Sequence, residues 1–173
     1  PKVSTDTPAF AEAEKAVKAK IKKRLSIKGS QTVDDLHIRL GHVRWEYVGM
    51  ARTKESLESA IVEIQALRKE FWSDLKLAGK PDELNPELEK ALRLADFLEL
   101  GELMARAALN RNESCGGHFR EEYQTPEGEA LRDDENYAYV AVWEYQGEAK
   151  EPVLYKEPLK FETIHLQQRN YKD

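Results

Sequence analysis

The sequence predicts an α+β protein that is mainly α: an antiparallel helical bundle of three long helices, preceded by a lead-in helix and followed by a small C-terminal β extension. Apolar residues recur at helical spacing through residues 1–111, and capping residues and breakers divide that stretch into four helices. Alternation typical of a strand appears only after residue 111. The 173 residues are 40% hydrophobic and 34% charged, a composition that can form a core.

The lead-in helix is predicted to begin at Thr7-Pro8, because threonine is a favoured N-cap and proline a favoured first helical residue. Gly29 is predicted to stop it. Lys15 to Arg24 contain six basic residues, which we interpret as a solvated helix face. The apolar stripe of this helix consists of Phe10, Val17, Ile21 and Leu25.

The second and third helices are predicted from their caps. Thr32 with Asp35 resembles a capping box, Gly49 lies near the end of the second helix, and Thr53 caps the third. Gly79 and Pro81 are expected to end the third helix, with a buried face of Leu57, Ile61, Ile64, Phe71 and Leu75. The second helix carries its stripe on Leu36, Leu40, Val43 and Tyr47.

The fourth helix is predicted to open at Asn85-Pro86, again as a cap followed by proline. Because helices two to four are long and joined by short loops, they are expected to pack as an antiparallel bundle. The predicted stripe of this helix is Leu88, Leu92, Ala95, Leu103 and Ala107, widened by Phe97, Leu98 and Leu100.

The pattern changes after the fourth helix. Glu113 to Glu135 is predicted to be mostly loop, and Tyr137 to Tyr145 a strand with both faces at least partly covered. Further features are a turn at Gln146-Gly147-Glu148, partner strands at Val153–Tyr155 and Phe161–Leu166, and a polar tail from Gln167 to Asp173. The expected division is 1–31 as lead-in, 32–111 as bundle, and 112–173 as loop and β extension.

Composition excludes several classes of function. The net charge of -5 gives no general nucleic-acid footprint, and no apolar run approaches the roughly 20 residues that span a bilayer. The single cysteine, Cys115, allows no internal disulfide and fits a reducing compartment. Because the chain starts with Pro1 rather than methionine, we expect it to be a segment of a longer protein.

The loop after the fourth helix is dense in arginines and carboxylates. A loop of more than 20 residues is unusual in a small domain unless something holds it, and arginine–carboxylate pairs could do so. We interpret it as an ion-paired loop that ties the bundle to the strands and to a neighbouring domain. The residues of this predicted interdomain motif are Glu113, Gly116, Gly117, His118, Arg120, Arg132, Asp133 and Asp134.

No catalytic, cofactor-binding or metal-binding residue is predicted. Cys115 and His118 would supply two ligands where a structural zinc site needs four, and nothing in the sequence orients them as nucleophile and base. Gly116-Gly117 is too short to cradle a pyrophosphate, and predicts a positive φ or a close backbone approach.

Two segments carry a family resemblance: Arg111-Asn-Glu-Ser-Cys-Gly-Gly-His-Phe-Arg120 and Arg132-Asp-Asp-Glu-Asn-Tyr137. They resemble E-S-R-G-x-H-x-R and R-D-D-E-N-W near the C-terminus of succinate dehydrogenase and fumarate reductase flavoprotein subunits. The resemblance covers about residues 32–173 and includes Glu157-Pro-Leu near the end. The chain departs from the pattern at Cys115, where the family has arginine, and at Tyr137, where it has tryptophan.

The resemblance implies a parent enzyme that interconverts succinate and fumarate with covalently bound FAD. It implies a flavin-binding domain in the same chain, an iron-sulfur subunit and a membrane anchor as partners. It also implies a cytoplasmic location, peripheral to the inner face of the plasma membrane. The family's catalytic residues lie upstream of this region, so the segment itself is expected to be an inactive structural and interaction domain, without nucleic-acid binding or membrane insertion.

Two alternatives remain open. L-aspartate oxidase shares the helical domain and an E-S-R-G-x-H pattern, but generally lacks the R-D-D-E-N segment. The other alternative is a free-standing helical module that offers a groove to a partner helix. Such a module has no need of the patterns at 116–120 and 132–136.

Overall fold

The computed structural model describes residues 4–147 and 150–167. Within these ranges the chain forms five helices and a two-stranded antiparallel sheet, which confirms the predicted mainly α class. The polar tail beyond 167 and the last residue of the predicted 146–148 turn lie outside the described residues. The elements are α1 (Pro8–Leu25), α2 (Val33–Tyr47), α3 (Lys54–Asp74), α4 (Pro86–Asn110), α5 (Asp134–Tyr137), β1 (Tyr139–Glu144) and β2 (Val153–Pro158).

Three of the four predicted helix caps make the expected hydrogen bonds. Thr32 Oγ1 accepts from the Asp35 amide at 3.1 Å, and Asn85 Oδ1 accepts from the Leu88 amide at 3.0 Å. Thr53 Oγ1 likewise accepts from the amide three residues later. Thr7 precedes α1 as predicted, but its side chain makes no capping hydrogen bond. Proline at the first position therefore marks this helix start more than the threonine hydroxyl does.

Gly29 does not end α1 as predicted; it allows the backbone to pass close to Asp74 at the end of α3. α1 ends at Leu25, four residues earlier, and a Cβ at position 29 would lie 1.8 Å from the Asp74 carbonyl oxygen. The Gly29 amide donates to Leu75 O at 3.1 Å, and further backbone bonds join Gln31 to the same segment. These bonds also explain why α3 ends at Asp74 instead of continuing towards Gly79.

The described residues cluster into two compact units. One comprises the chain up to His42 and Ile64–Leu98, and the other Val43–Glu63 and the chain from Glu99 onward. The predicted boundaries at 31/32 and 111/112 remain predictions. The core of the first unit includes Val33, Leu36, Leu40, Ile64, Leu67, Phe71, Leu75, Leu88, Ala91, Leu94 and Leu98. The core of the second includes Val43, Val48, Leu57, Ala60, Ala105, Ala108 and Tyr139.

The predicted stripes of α1 and α4 need correction. Phe10 and Val17 on α1 are about half exposed, whereas Arg24 is buried, with its guanidinium carbon 5.1 Å from the centre of the Trp72 ring. On α4 the predicted Leu88 and Leu98 are buried, but Phe97 and Leu100 are exposed. The rest of the buried face runs through residues that were not predicted: Ala91, Leu94, Ala105 and Ala108. Apolar residues surround α4 so widely that periodicity alone does not single out its buried face.

The β extension is smaller than predicted. β1 and β2 pair antiparallel with Val142 opposite Tyr155, but Phe161–Leu166 forms no strand, and Tyr137 ends α5 instead of starting β1. The two faces of β1 are unequally covered: Tyr139 is buried and Ala141 and Trp143 are half-buried, whereas Val140 and Val142 on the other face are 46% exposed. Alternation placed the side chains on the correct faces but could not show which face has neighbours.

Candidate functional site

The loop between α4 and β1 is held by three ion pairs with the same spacing. In each, an arginine pairs with the carboxylate two residues later, so each pair closes within one short segment of the loop. The pairs are Arg111 Nε–Glu113 Oε1 at 2.8 Å, Arg120 Nε–Glu122 Oε2 at 3.1 Å and Arg132 Nη2–Asp134 Oδ1 at 2.5 Å. The arginine–carboxylate pairs expected from the sequence are therefore present.

Glu113 joins the beginning of the loop to its end. Its side chain is 2% exposed, and while Oε1 accepts from Arg111, Oε2 accepts from the Asp133 backbone amide at 3.0 Å. Arg111 reaches the same region, since its Nη2 donates to Tyr137 O at 2.5 Å and its guanidinium lies 5.5 Å from the Tyr139 ring centre. One buried carboxylate thus connects residues 20 positions apart.

Arg120 closes the C-terminal end of α4. It is 2% exposed, and its Nη1 donates to the carbonyl oxygens of Ala108 at 3.3 Å and Leu109 at 3.4 Å. A cation at this position satisfies carbonyl groups that the helix leaves without partners and complements the helix dipole. Nε and Nη2 donate to the two Glu122 oxygens, so this pair is bidentate.

Ser114 joins two segments of the same loop. Its hydroxyl donates to Arg120 O at 3.1 Å and accepts from the Arg120 amide at 2.8 Å, in a fully buried position. Between them, the amides of Cys115 and His118 each donate to the other's carbonyl oxygen, which closes a tight turn. Gly116 has a φ of +59° at the first central position, the pattern of a type II′ turn. Gly117 has neither a positive φ nor a neighbour within 4 Å of a would-be Cβ.

His118 lies between two arginines and is neutral. Nδ1 accepts a hydrogen bond from Arg52 Nη1 at 3.0 Å, which assigns the ring proton to Nε2, and Nε2 then donates to Arg111 O at 2.9 Å. Burial and the nearby arginines lower the pKa of His118, although its bond to the carbonyl opposes this. With both nitrogens engaged, His118 acts as a connector and has no free nitrogen for proton transfer.

Arg52 belongs to the same network but was not predicted as a site residue. It precedes α3, and a pair of backbone hydrogen bonds joins it to the loop: its amide donates to Phe119 O at 3.2 Å, and its carbonyl accepts from the Glu121 amide at 2.9 Å. The Gly49-Met-Ala-Arg52 segment was noted only as part of the family resemblance. Its partner His118 is 66 residues away, and local spacing cannot show such a contact.

The motif residues after position 130 divide between two roles. Asp133 caps α5 by accepting from the Asn136 amide at 3.1 Å, and its own amide donates to Glu113. Arg132 pairs with the more exposed Asp134, and this hydrogen bond raises the pKa of Arg132. Arg132 Nη1 also donates to Gln167 O at 3.1 Å. The structure therefore brings Glu113, Asp133, His118 and Arg120 into one network, with the Arg132–Asp134 pair at its exposed side.

The buried polar groups of this network serve as hydrogen-bond partners for one another. Its buried polar groups are bound to one another or to backbone atoms, as buried polar groups must be to avoid a desolvation cost. Among residues 4–147 and 150–167, no group of three His, Cys, Asp or Glu side chains is placed to hold a metal ion. No helix in the described part of the chain is long and apolar enough to cross a membrane.

Comparisons with known proteins identify the family. The model of a family described as "Fumarate reductase flavoprotein C-term" matches residues 37–171. The fumarate reductase flavoprotein subunit of Proteus vulgaris is 30% identical over 135 residues, which are 76% of this chain. The chain belongs to the family of C-terminal domains of fumarate reductase and succinate dehydrogenase flavoprotein subunits.

Solved structures show the same fold. A quinol-fumarate reductase with menaquinol molecules matches 94% of this chain with a TM-score of 0.76 and 24% identity. Sdh1 of Mycobacterium smegmatis, in complex with UQ1, matches 93% with a TM-score of 0.73 and 24% identity. The chain spans 22% of the Proteus subunit, and 27% and 25% of the two structures.

The L-aspartate oxidase alternative is weaker. The enzyme of Vibrio cholerae is 32% identical over 82 residues, which are only 46% of this chain. The family match over residues 37–171 also extends through both the 116–120 and 132–136 patterns, for which a free-standing helical module has no need.

Proposed function

We propose that this chain is the structural C-terminal domain of a flavoprotein subunit that interconverts succinate and fumarate with FAD. Its role is to stabilise the flavin-binding domain of the same polypeptide and to contribute to contacts with an iron-sulfur subunit and a membrane anchor. This places it in the cytoplasm, peripheral to the inner face of the plasma membrane. The family match over residues 37–171 supports the parent enzyme.

The observation that carries the structural role is the self-satisfied network of the loop. Glu113, His118 and Arg120 are the motif residues whose ionisable side chains could take part in acid–base or ionic chemistry. Each uses its polar atoms to hold another part of the same loop or the end of α4. Catalytic groups must present atoms to a substrate, whereas these groups are turned towards their own backbone. FAD and the reacting groups therefore belong to the upstream part of the proposed subunit.

The test compares the chain with the proposed upstream region of the subunit. The purified 173-residue chain should show no flavin absorbance after incubation with FAD and no oxidation of succinate with an electron-accepting dye. The upstream region joined to this chain should hold FAD and turn over, and should lose at least tenfold in activity or FAD retention without it.

Two outcomes would overturn the proposal. One is stoichiometric FAD binding or succinate turnover by the 173-residue chain alone. The other is an upstream region with full activity and stability in the absence of this chain. Oxidation of L-aspartate in place of succinate by the joined protein would favour the L-aspartate oxidase alternative.

A further inference from the structure

Arg52 differs from the other two arginines of the His118 network. Arg111 is paired with Glu113, and Arg120 with Glu122. In the described part of the chain Arg52 has no ion-pair partner, and the charge that acts on its guanidinium is that of Arg120.

The three arginines that act on His118 therefore outnumber their paired carboxylates by one. The Asp133 carboxylate, the third in the network, binds Asn136 instead, and His118 is neutral in the tautomer that its hydrogen bonds define. Burial, followed by the charge of Arg120, lowers the pKa of Arg52. A half-buried charge without a counter-ion is unfavourable, because lost hydration is not replaced by an opposite charge.

The Arg52 side chain is nevertheless held in a defined orientation. Its Nε donates to Gly49 O at 2.9 Å and its Nη1 to His118 Nδ1 at 3.0 Å, while no acceptor for Nη2 lies in the described part of the chain. Two fixed nitrogens leave the third side of the planar guanidinium presented for an incoming acceptor. A guanidinium held in this way is suited to a carboxylate, whose geometry it matches.

Two exposed apolar residues lie close to Arg52 in the chain. Trp45, near the end of α2, is 81% exposed, and Met50, in the turn that leads to Arg52, is 91% exposed. The turn is tight, because a Cβ at Gly49 would lie 2.5 Å from Trp45 O. Tryptophan, methionine and arginine are enriched at protein interfaces, and an almost fully exposed tryptophan is uncommon on a surface that remains in water.

An incoming carboxylate would have to bind the side chain of Arg52, because the backbone amides at the neighbouring start of α3 already have acceptors. The Lys54 amide at the first position of α3 donates to Glu122, and the Ser56 amide donates to Thr53 Oγ1 at 3.0 Å. No spare amide at these positions would contribute to the site.

We propose that Trp45, Met50 and Arg52 form a docking surface for a protein partner that presents an aspartate or glutamate side chain on an apolar surface. The carboxylate pairs with Arg52, and the apolar surface covers Trp45 and Met50. The partner's identity rests on the proposed function: it is the upstream region of the same flavoprotein. The excess charge at Arg52 and the exposed apolar pair specify the chemistry of that partner's surface.

The first arm of the test uses acetate as a carboxylate probe on the 173-residue chain. Arginine Nε–H and Trp45 indole N–H signals are followed by NMR during titration with sodium acetate, against sodium chloride at equal ionic strength. Acetate should give saturable shifts at Arg52 that disappear in Arg52→Gln and persist in Arg132→Gln, whose guanidinium already has Asp134 as partner. Equal shifts with chloride, or none with acetate, would overturn the proposal.

The second arm measures binding of the upstream region to the chain. Arg52→Gln and Trp45→Ser should each weaken binding at least tenfold, while Leu84→Ser, a matched change at an apolar residue that is 95% exposed, should not. The Trp45 variant guards against misfolding, because so exposed a side chain contributes little to the core. Arg52→Lys, which keeps the charge but loses the planar fork, should fall between wild type and Arg52→Gln.

The outcomes separate the two proposals. If the upstream region binds all variants equally well, the docking surface is wrong and the proposed function stands. If it fails to bind even the wild-type chain, the proposed function is contradicted and this docking partner with it. Two further outcomes would overturn the docking surface. If acetate binds but Arg52→Gln does not weaken association with the upstream region, the site binds small carboxylates only. If the chain dimerises through Trp45, the partner of this surface is a second copy of the chain.

Discussion

Glu113 connects both ends of the loop through one side chain. Replacing it with alanine leaves Arg111 and the Asp133 amide without their acceptor. Loss of one partner from a buried pair costs about 3–5 kcal/mol, and the partial exposure of Arg111 places the expected value towards the lower end. Urea denaturation of Glu113→Ala should therefore show a clear decrease in the free energy of unfolding.

The matched control is Asp134→Ala, which removes a carboxylate with the same spacing from its arginine. The Arg132 and Asp134 side chains are 21% and 41% exposed, so this pair is worth only about 0–1 kcal/mol. Equal destabilisation by the two variants would contradict the view that burial separates the two pairs.

His118 should make stability depend on pH. Its pKa is lower in the folded chain than its ordinary value of about 6.5, chiefly because of burial, so the unfolded chain binds the proton more readily. The contribution of this residue is therefore complete above about pH 6.5 and declines as the pH falls through that value towards the folded pKa. The free energy of unfolding, measured in urea between pH 5 and 8, should fall on acidification.

The variant His118→Gln should flatten this part of the curve. His165→Gln, which changes an exposed histidine, serves as the control and should leave it intact. A pH dependence that survives in His118→Gln would mean that another group is responsible. Protonation of Nδ1 would also break the bond from Arg52, so the same titration should shift the Arg52 signals.

At the scale of elements, two glycines in the same unit should respond oppositely to alanine. Gly29 lies against the Asp74 carbonyl oxygen, so an added methyl group must displace the backbone, at a cost of about 1–3 kcal/mol. Gly41 lies inside α2 with open space around a Cβ, and alanine there should stabilise the helix by about 0.5–1 kcal/mol. Thermal unfolding followed by circular dichroism measures both. A neutral or stabilising Gly29→Ala would show that the close approach is dispensable.

The elements show where local sequence is sufficient. Caps such as Thr32, Thr53 and Asn85 act within three residues, so the sequence predicted the starts of α2, α3 and α4 correctly. The end of α3 depends on backbone bonds to Gly29 and Gln31, more than 40 residues earlier, and was therefore predicted too late.

The same distinction applies to the candidate site. The sequence predicts arginine–carboxylate pairs in this loop but not which residues pair, and the Arg52–His118 contact, which spans 66 residues, requires the fold. Burial also escaped prediction: nothing in the local pattern distinguishes buried Glu113 from the more exposed Asp134.

For the whole molecule, we expect the proposed upstream region to raise the thermal stability of this chain. A partner that binds only the folded state adds about 2.7 kcal/mol at a concentration 100 times its dissociation constant. Differential scanning fluorimetry of the chain at increasing partner concentration should show a progressive rise in Tm, which is smaller for Arg52→Gln. A Tm independent of partner concentration would count against association.

The two-residue spacing of the ion pairs has a consequence for length variation. One residue inserted between Arg111 and Glu113, or between Arg120 and Glu122, would displace the carboxylate from its arginine and disrupt the pair. The turn that Gln124 and Ala130 close lies between the second and third pairs, and interrupts neither. Insertions and deletions among homologous sequences should accordingly accumulate at 125–129 and be absent from 111–113 and 120–122.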